Sequence, residues 1–296
     1  MAINTRIEKR AHELDRRTEE LLREFFIQRM LARVFVDPTA PWILKGGTSL
    51  LIRIPGARHS RDIDLLHPDA DLEQAYADLA AIVSAPSPLD RLTFQLRVDA
   101  RNENEGSTLV WKLRATPVLG STLLQHFPID LTAGKELVGE IDRIVPTPTI
   151  EIDDVATPLP AFSCYPIVDQ LADKLAAMYE YHGETRTPSS RWRDLVDLLL
   201  LLAASSFDAA KLHLAIDHQR AHRPALDLPV TVRAPGPRWH DHDTYPATAR
   251  AVPGLPAELR DIDVALDHLG RCMNPLLGSS VTDGTWNPTT WCWEPV

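Results

Sequence analysis

The sequence predicts an α+β protein with a sheet in its first half and a mainly helical second half. Three observations carry this. Strand-like alternation is read only before residue 166 and is cleanest in Arg91–Asp99, where Leu92, Phe94, Leu96 and Val98 alternate with Thr93, Gln95 and Arg97. Helical spacing of apolar residues dominates Pro166–Arg220. From about residue 222 the character changes, with ten of the 24 prolines and four of the seven tryptophans.

In chain order, Thr5–Val36 reads as one helix. Leu14, Leu21, Leu22, Phe25, Phe26 and Met30 recur at helical spacing, and Asp37-Pro38 ends it. Its arginines are offset by acids and mark no nucleic-acid site. Trp42–Leu44 is a short apolar run. Gly46–Thr48 is a turn, Ser49–Ile54 is helix-compatible and Pro55–Arg61 is a polar loop. Asp62–Leu66 has a strand pattern. Asp69–Val83 is an amphipathic helix with Leu72, Tyr76, Leu79 and Ile82 on one face. Ser84–Asp90 is a loop, Arg101–Ser107 a polar turn, and Thr108–Thr116 a strand that pairs with Arg91–Asp99 across it. Phe127–Leu131 is a short strand carrying Asp130. Ala133–Tyr165 is a Pro- and Thr-rich connector with one short strand. Pro166–Tyr181 is a helix with Leu171, Leu175 and Met178 inward. His182–Ser190 is a polar loop, and Arg191–Ala204 and Phe207–Arg220 are further helices. Beyond them only Ala257–Met273 reads as helical, and the Pro-rich remainder wraps the helical half. Two domains are expected, residues 1–150 with the N-terminal helix and residues 151–296 with the Pro-rich tail.

At 44% hydrophobic and 24% charged, the chain has an ordinary globular composition. No run approaches the roughly 20 apolar residues of a membrane span. No signal-type segment is seen, and Cys164, Cys272 and Cys292 lack metal-type spacing, so a cytoplasmic protein without disulfides is expected. A net charge of −10 argues against a general nucleic-acid coat. It leaves room for an enzyme that grips one RNA end through a local basic patch.

The chemistry is concentrated in Trp42–Leu66. On a strand, Asp62 and Asp64 share a face while Ile63 and Leu65 face a core. Adjacent carboxylates repel unless a cation lies between them, and Mg²⁺ favours carboxylate oxygens together with substrate phosphates. Gly46 and Gly47 let backbone N–H groups approach a phosphate, and a following helix adds its N-terminal dipole. A Gly-Gly alone is usually a turn and an Asp-x-Asp alone a solvated strand edge. In this order they resemble the nucleotidyltransferase superfamily. Lys45, Gly46, Gly47, Thr48 and Leu50, followed by Ser60, Asp62, Asp64 and Leu65, are similar to the AbiEii/AbiGii toxin family of type IV toxin–antitoxin systems, whose mycobacterial branch is called MenT. Asp173-Lys174-Leu175 and Arg191-x-Arg193-Asp194 match that family's later segments.

The resemblance, over about residues 40–205, implies a polymerase-β-like nucleotidyltransferase core with a mixed sheet. It implies an NTP over Lys45, Gly46, Gly47 and Thr48, with Thr48 and Ser60 donating to phosphate and Mg²⁺ on Asp62 and Asp64. Asp130 is either a third carboxylate, assisting the metal or the attacking hydroxyl, or a strand-end Asp near solvent. Lys174 is either a surface lysine or a point charge for the triphosphate. Asp194 either favours its helix N-terminus or is a fourth site carboxylate that orients Lys174 or the attacking group. Arg186, Arg191 and Arg193 are the basic cluster suited to RNA phosphates. The expected activity is transfer of NMP to RNA, at the tRNA 3′ end, under control of a cognate antitoxin, with Ser60 a position where phosphorylation would switch it off. The alternatives are transfer to a protein or small molecule, and a non-catalytic nucleotide- or antitoxin-binding module. The His240–Asp243 run reads as a solvated turn rather than a metal site. Trp286, Trp291 and Trp293 read as pins for the tail rather than base-stacking platforms.

Overall fold

A computed structural model describes residues 3–105, 108–152, 158–241 and 243–295. Their fold is α+β with a mixed sheet, in two compact units. The first comprises Met1–Arg53, Ser60–Glu136 and Ile141–Cys164, and the second Ile54–His59, Leu137–Glu140 and Tyr165–Val296. A division after residue 150 falls inside the first unit.

The first unit begins with α1 (Ile3–Glu13) and α2 (Thr18–Val34). The single expected helix is therefore two. The chain breaks at Asp15, which takes a left-handed φ of 50°, and Leu14 is left exposed rather than inward. No Gly or Pro marks that break, and the apolar spacing runs on through both helices. Next come β1 (Ile43–Lys45), α3 (Gly46–Arg53), β2 (Ile63–His67) and α4 (Leu72–Ser84). Helix α4 is capped by Asp71, whose side chain accepts from the Gln74 N–H. Strands β3 (Leu92–Glu105) and β4 (Thr108–Leu119) follow, then β5 (Thr122–Leu123), β6 (Phe127–Ala133), β7 (Asp142–Ile144) and β8 (Phe162–Cys164). Strand β3 runs through most of the expected polar turn, and Gly106 and Ser107 of that turn lie outside the described residues. The connector supplies two strands rather than one.

The main sheet has the order β3-β4-β6-β2-β1-β8-β7, with β5 paired to β4. It is mixed, since β2–β6 and β1–β8 are parallel and the other pairs antiparallel. Ile63, Leu65, Phe94, Leu113, Phe127, Ile129 and Leu131 bury their side chains in one core with Leu21, Phe25, Met30 and Leu31 of α2 and Leu79 and Val83 of α4. Buried Arg29 and Arg33 both bind Asp90. Burial works to raise the Asp90 pKa, but these two guanidinium groups outweigh it and hold the carboxyl below its ordinary value.

The second unit is built on α5 (Ile167–Tyr179), which packs on α6 (Trp192–Ala204) and α7 (Ala209–His222). Helices α8 (Thr244–Arg250) and α9 (Ile262–Leu277) pack on α6, so the tail contains one helix more than its sequence suggests. It closes with a hairpin, β9 (Thr285–Asn287) and β10 (Cys292–Glu294). Trp286 is fully buried there, and its indole N–H donates to the Leu202 carbonyl at 2.9 Å. Trp293 donates likewise to the Cys272 carbonyl at 2.9 Å, and Trp291 packs edge-on against Trp286. These tryptophans pin the tail. No helix among the described residues is long and apolar enough to cross a membrane.

Candidate active site

The signature stretch folds as β1, then α3, then a loop into β2. The helix begins three residues earlier than its sequence suggests, at Gly46, whose φ is +63°. An added Cβ there would lie 1.7 Å from Asp64 Oδ2. Only glycine leaves room for that carboxylate at the start of the helix. Asp62 stands one residue ahead of β2 rather than within it. Its carbonyl accepts from the Thr48 hydroxyl at 2.8 Å, and its carboxylate accepts from the Ser60 hydroxyl. The family resemblance implies that both hydroxyls are phosphate donors. In the structure each donates its single proton to Asp62 instead, fixing the residue's backbone and side chain.

Strand pairing places a row of charges across one face of the sheet. Lys45 is directly opposite Asp64, Asp64 opposite Asp130, and Asp130 opposite Lys112. The Lys112 ammonium donates to Asp130 Oδ2. Asp130 is thus on the strand beside the Asp-x-Asp, facing the same way as Asp64. Sequence reasoning missed Lys112. Its only signal was a charged residue in an otherwise apolar stretch, Val110–Leu113.

The second unit holds a separate cluster. Lys174 Nζ lies 3.1 Å from Asp194 Oδ1 and 2.6 Å from Asp197 Oδ2. Arg58 grips Asp197 with two parallel bonds of 3.0 and 2.9 Å. Arg191 Nε is 3.1 Å from Asp194 Oδ2. Lys174 is buried and is not a surface lysine. Burial would lower its pKa, but Asp197 and Asp194 outweigh it and hold the ammonium above its ordinary value. Burial would raise the Asp197 pKa, and Lys174 and Arg58 hold it below. Asp197 and Arg58 also escaped the sequence reading. The signal for Asp197 was an Asp inside the run Leu195–Leu202, where a carboxylate must find cations.

Of the expected basic cluster, Arg186 lies over the Tyr181 ring at 4.6 Å, Arg191 is committed to Asp194, and Arg193 is exposed. Burial pushes the Cys164 thiol up to about 11, so it stays protonated. Among the described residues no three His, Cys, Asp or Glu side chains converge as a ready metal cage. His240 and Asp243 are exposed, and His242 lies outside the described residues.

The family model for the nucleotidyl transferase AbiEii toxin of type IV toxin–antitoxin systems matches residues 29–270. The chain belongs to the AbiEii nucleotidyltransferase toxin family. Its fold is similar to that of MenT4, a nucleotidyltransferase toxin from Mycobacterium tuberculosis H37Rv, with a TM-score of 0.59 and 16% identity over 98% of this chain and 93% of that one. JHP933 from Helicobacter pylori matches with a TM-score of 0.43 and 13% identity over 88% of this chain and 93% of that one. No curated protein matches the sequence. The AbiEii match takes in the glycine turn, the Asp-x-Asp, Asp130, Lys174 and Asp194 together.

Proposed function

We propose that this AbiEii-family protein transfers a nucleoside monophosphate from an NTP to an RNA hydroxyl, with the tRNA 3′ end as acceptor, and that this blocks translation. A cognate antitoxin is the partner that restrains it. The observation that carries the proposal is the placement of Asp64 against the Gly46 turn with Asp130 directly beside it.

The donor set suits Mg²⁺, which takes one or two protein carboxylates and fills its other positions with water and phosphate oxygens. Asp62 and Asp64 would hold it, and the space that a Gly46 Cβ would fill is what admits the Asp64 carboxylate. When bound, the cation lowers the acceptor hydroxyl's pKa and offsets charge on the triphosphate. The chain's own part is positional and electrostatic. Backbone N–H groups at the start of α3 receive phosphate oxygens. Asp130 accepts the proton of the attacking hydroxyl. The acceptor oxygen bonds to the α-phosphorus, the bond to the bridging oxygen breaks, and pyrophosphate leaves with that electron pair. For Lys174, held by Asp194 and Asp197 within the second unit, the family resemblance alone suggests a role as positive charge for phosphates.

Incubation with α-labelled NTPs, Mg²⁺, total RNA and cell lysate, followed by separation of RNA, protein and small molecules, tests this. Label at RNA 3′ ends is expected. Label in protein alone moves the acceptor to another class, and no label anywhere makes the chain a non-catalytic module.

A further inference from the structure

The charge row on the sheet has a regularity that the reaction does not require. Its order is Lys45, Asp64, Asp130, Lys112, so each acid has a like charge on one side and a lysine on the other. Like charges directly opposite across strands repel, and the row sums to zero without any added ion. The outer pair is a made contact, since Lys112 Nζ donates to Asp130 Oδ2. It is not a stray surface pairing, because the two side chains are only 34% and 20% exposed. A short extended backbone on both sides fixes the partners at opposite register positions.

We propose that Lys112 is a positioning residue for Asp130 and the chain's own competitor for the divalent cation at this carboxylate pair. With no cation bound, the ammonium holds the Asp130 carboxylate along the row beside Asp64. Asp130 would lend an oxygen to a cation held by Asp62 and Asp64 only by giving up the Lys112 ammonium, so the cation would bind against the lysine. The acid that receives the acceptor proton is thereby ordered before metal and NTP arrive. This rests on the metal-dependent transfer proposed above.

The test is Mn²⁺ binding to the full chain, followed by paramagnetic resonance without any nucleotide, for wild type, Lys112→Met and Lys112→Arg. Removing the ammonium is expected to tighten Mn²⁺ binding about tenfold, which corresponds to about 1.4 kcal/mol, while Lys112→Arg stays within about twofold of wild type. The melting temperature of Lys112→Met without cation should fall and recover when Mn²⁺ is added. Equal Mn²⁺ affinity in wild type and Lys112→Met overturns the competition and leaves the transfer reaction standing. An absence of Mn²⁺ binding in all three proteins overturns the metal reading and this proposal with it.

Discussion

At Gly46 a single absent methyl group decides where the Asp64 carboxylate can be. The backbone is left-handed there, and a Cβ would overlap Asp64 Oδ2 at 1.7 Å. Gly46→Ala therefore both strains the turn and expels the acid. The expected result is a loss of transfer of at least about 100-fold, as for a catalytic group displaced by an ångström, with a stability cost of about 1–3 kcal/mol. Labelled-NTP turnover and a denaturant melt measure the two, and a Gly46→Ala protein of wild-type turnover would refute the geometry. The glycines and aspartates were legible in the sequence because each residue type is demanded by local chemistry. Lys112 was not. Which β4 residue meets Asp130 depends on the register between β4 and β6, and no composition signal encodes that. The hydroxyls of Thr48 and Ser60 show a related limit, since a sequence names the donors but not which acceptor they choose.

Helix α6 is the element on which the second unit's charges converge. It presents Asp194 and Asp197 one turn apart, which puts both on the face where Lys174 of α5 reaches them. Asp197 is fully buried, so removing it strands the buried Lys174 and half-buried Arg58. Asp197→Ala is expected to destabilise the protein by about 3–5 kcal/mol, read as a shifted urea midpoint at unchanged slope. A shift below about 1 kcal/mol would mean that the cations find other partners. The same pair sets a pH window. The folded pKa of Asp197 is depressed, so its stabilisation is complete above the unfolded aspartate value of about 3.9 and is lost as pH falls below it. The folded pKa of Lys174 is raised, so its share persists below about 10.4 and is lost as pH climbs past it. Thermal melts from pH 2 to 12 should show a plateau between those limits. An Asp197→Ala protein should lose less than wild type at the acid end. The periodicity of α5, α6 and α7 was readable because each buries a continuous apolar face. Helix α8 escaped because its seven residues, Thr244–Arg250, include a proline and are too short to show a period.

For the whole molecule, the α+β class and the order of the longer strands and helices up to α7 were legible, because alternation and helical spacing survive in any arrangement, whereas the short α8, β9 and β10 of the tail were not. The order β4-β6-β2-β1, which brings Lys112, Asp130, Asp64 and Lys45 into one row, was only partly so. The β6 strand could be placed beside β2 from the hairpin before it. The Pro-rich connector gave no hint that β8 runs parallel to β1. The AbiEii match spans the elements that carry all of these residues, and the central claim is that the Asp62, Asp64 and Asp130 carboxylates carry nucleotidyl transfer to RNA. The most direct measurement compares wild type with Asp64→Asn, a change that keeps size and removes charge, for incorporation of α-labelled NTP into purified tRNA. Label at the tRNA 3′ end is expected with wild type, and at least about 100-fold less with a folded Asp64→Asn protein. Equal labelling by the two proteins, or no labelling of RNA by wild type with any of the four NTPs, would contradict it.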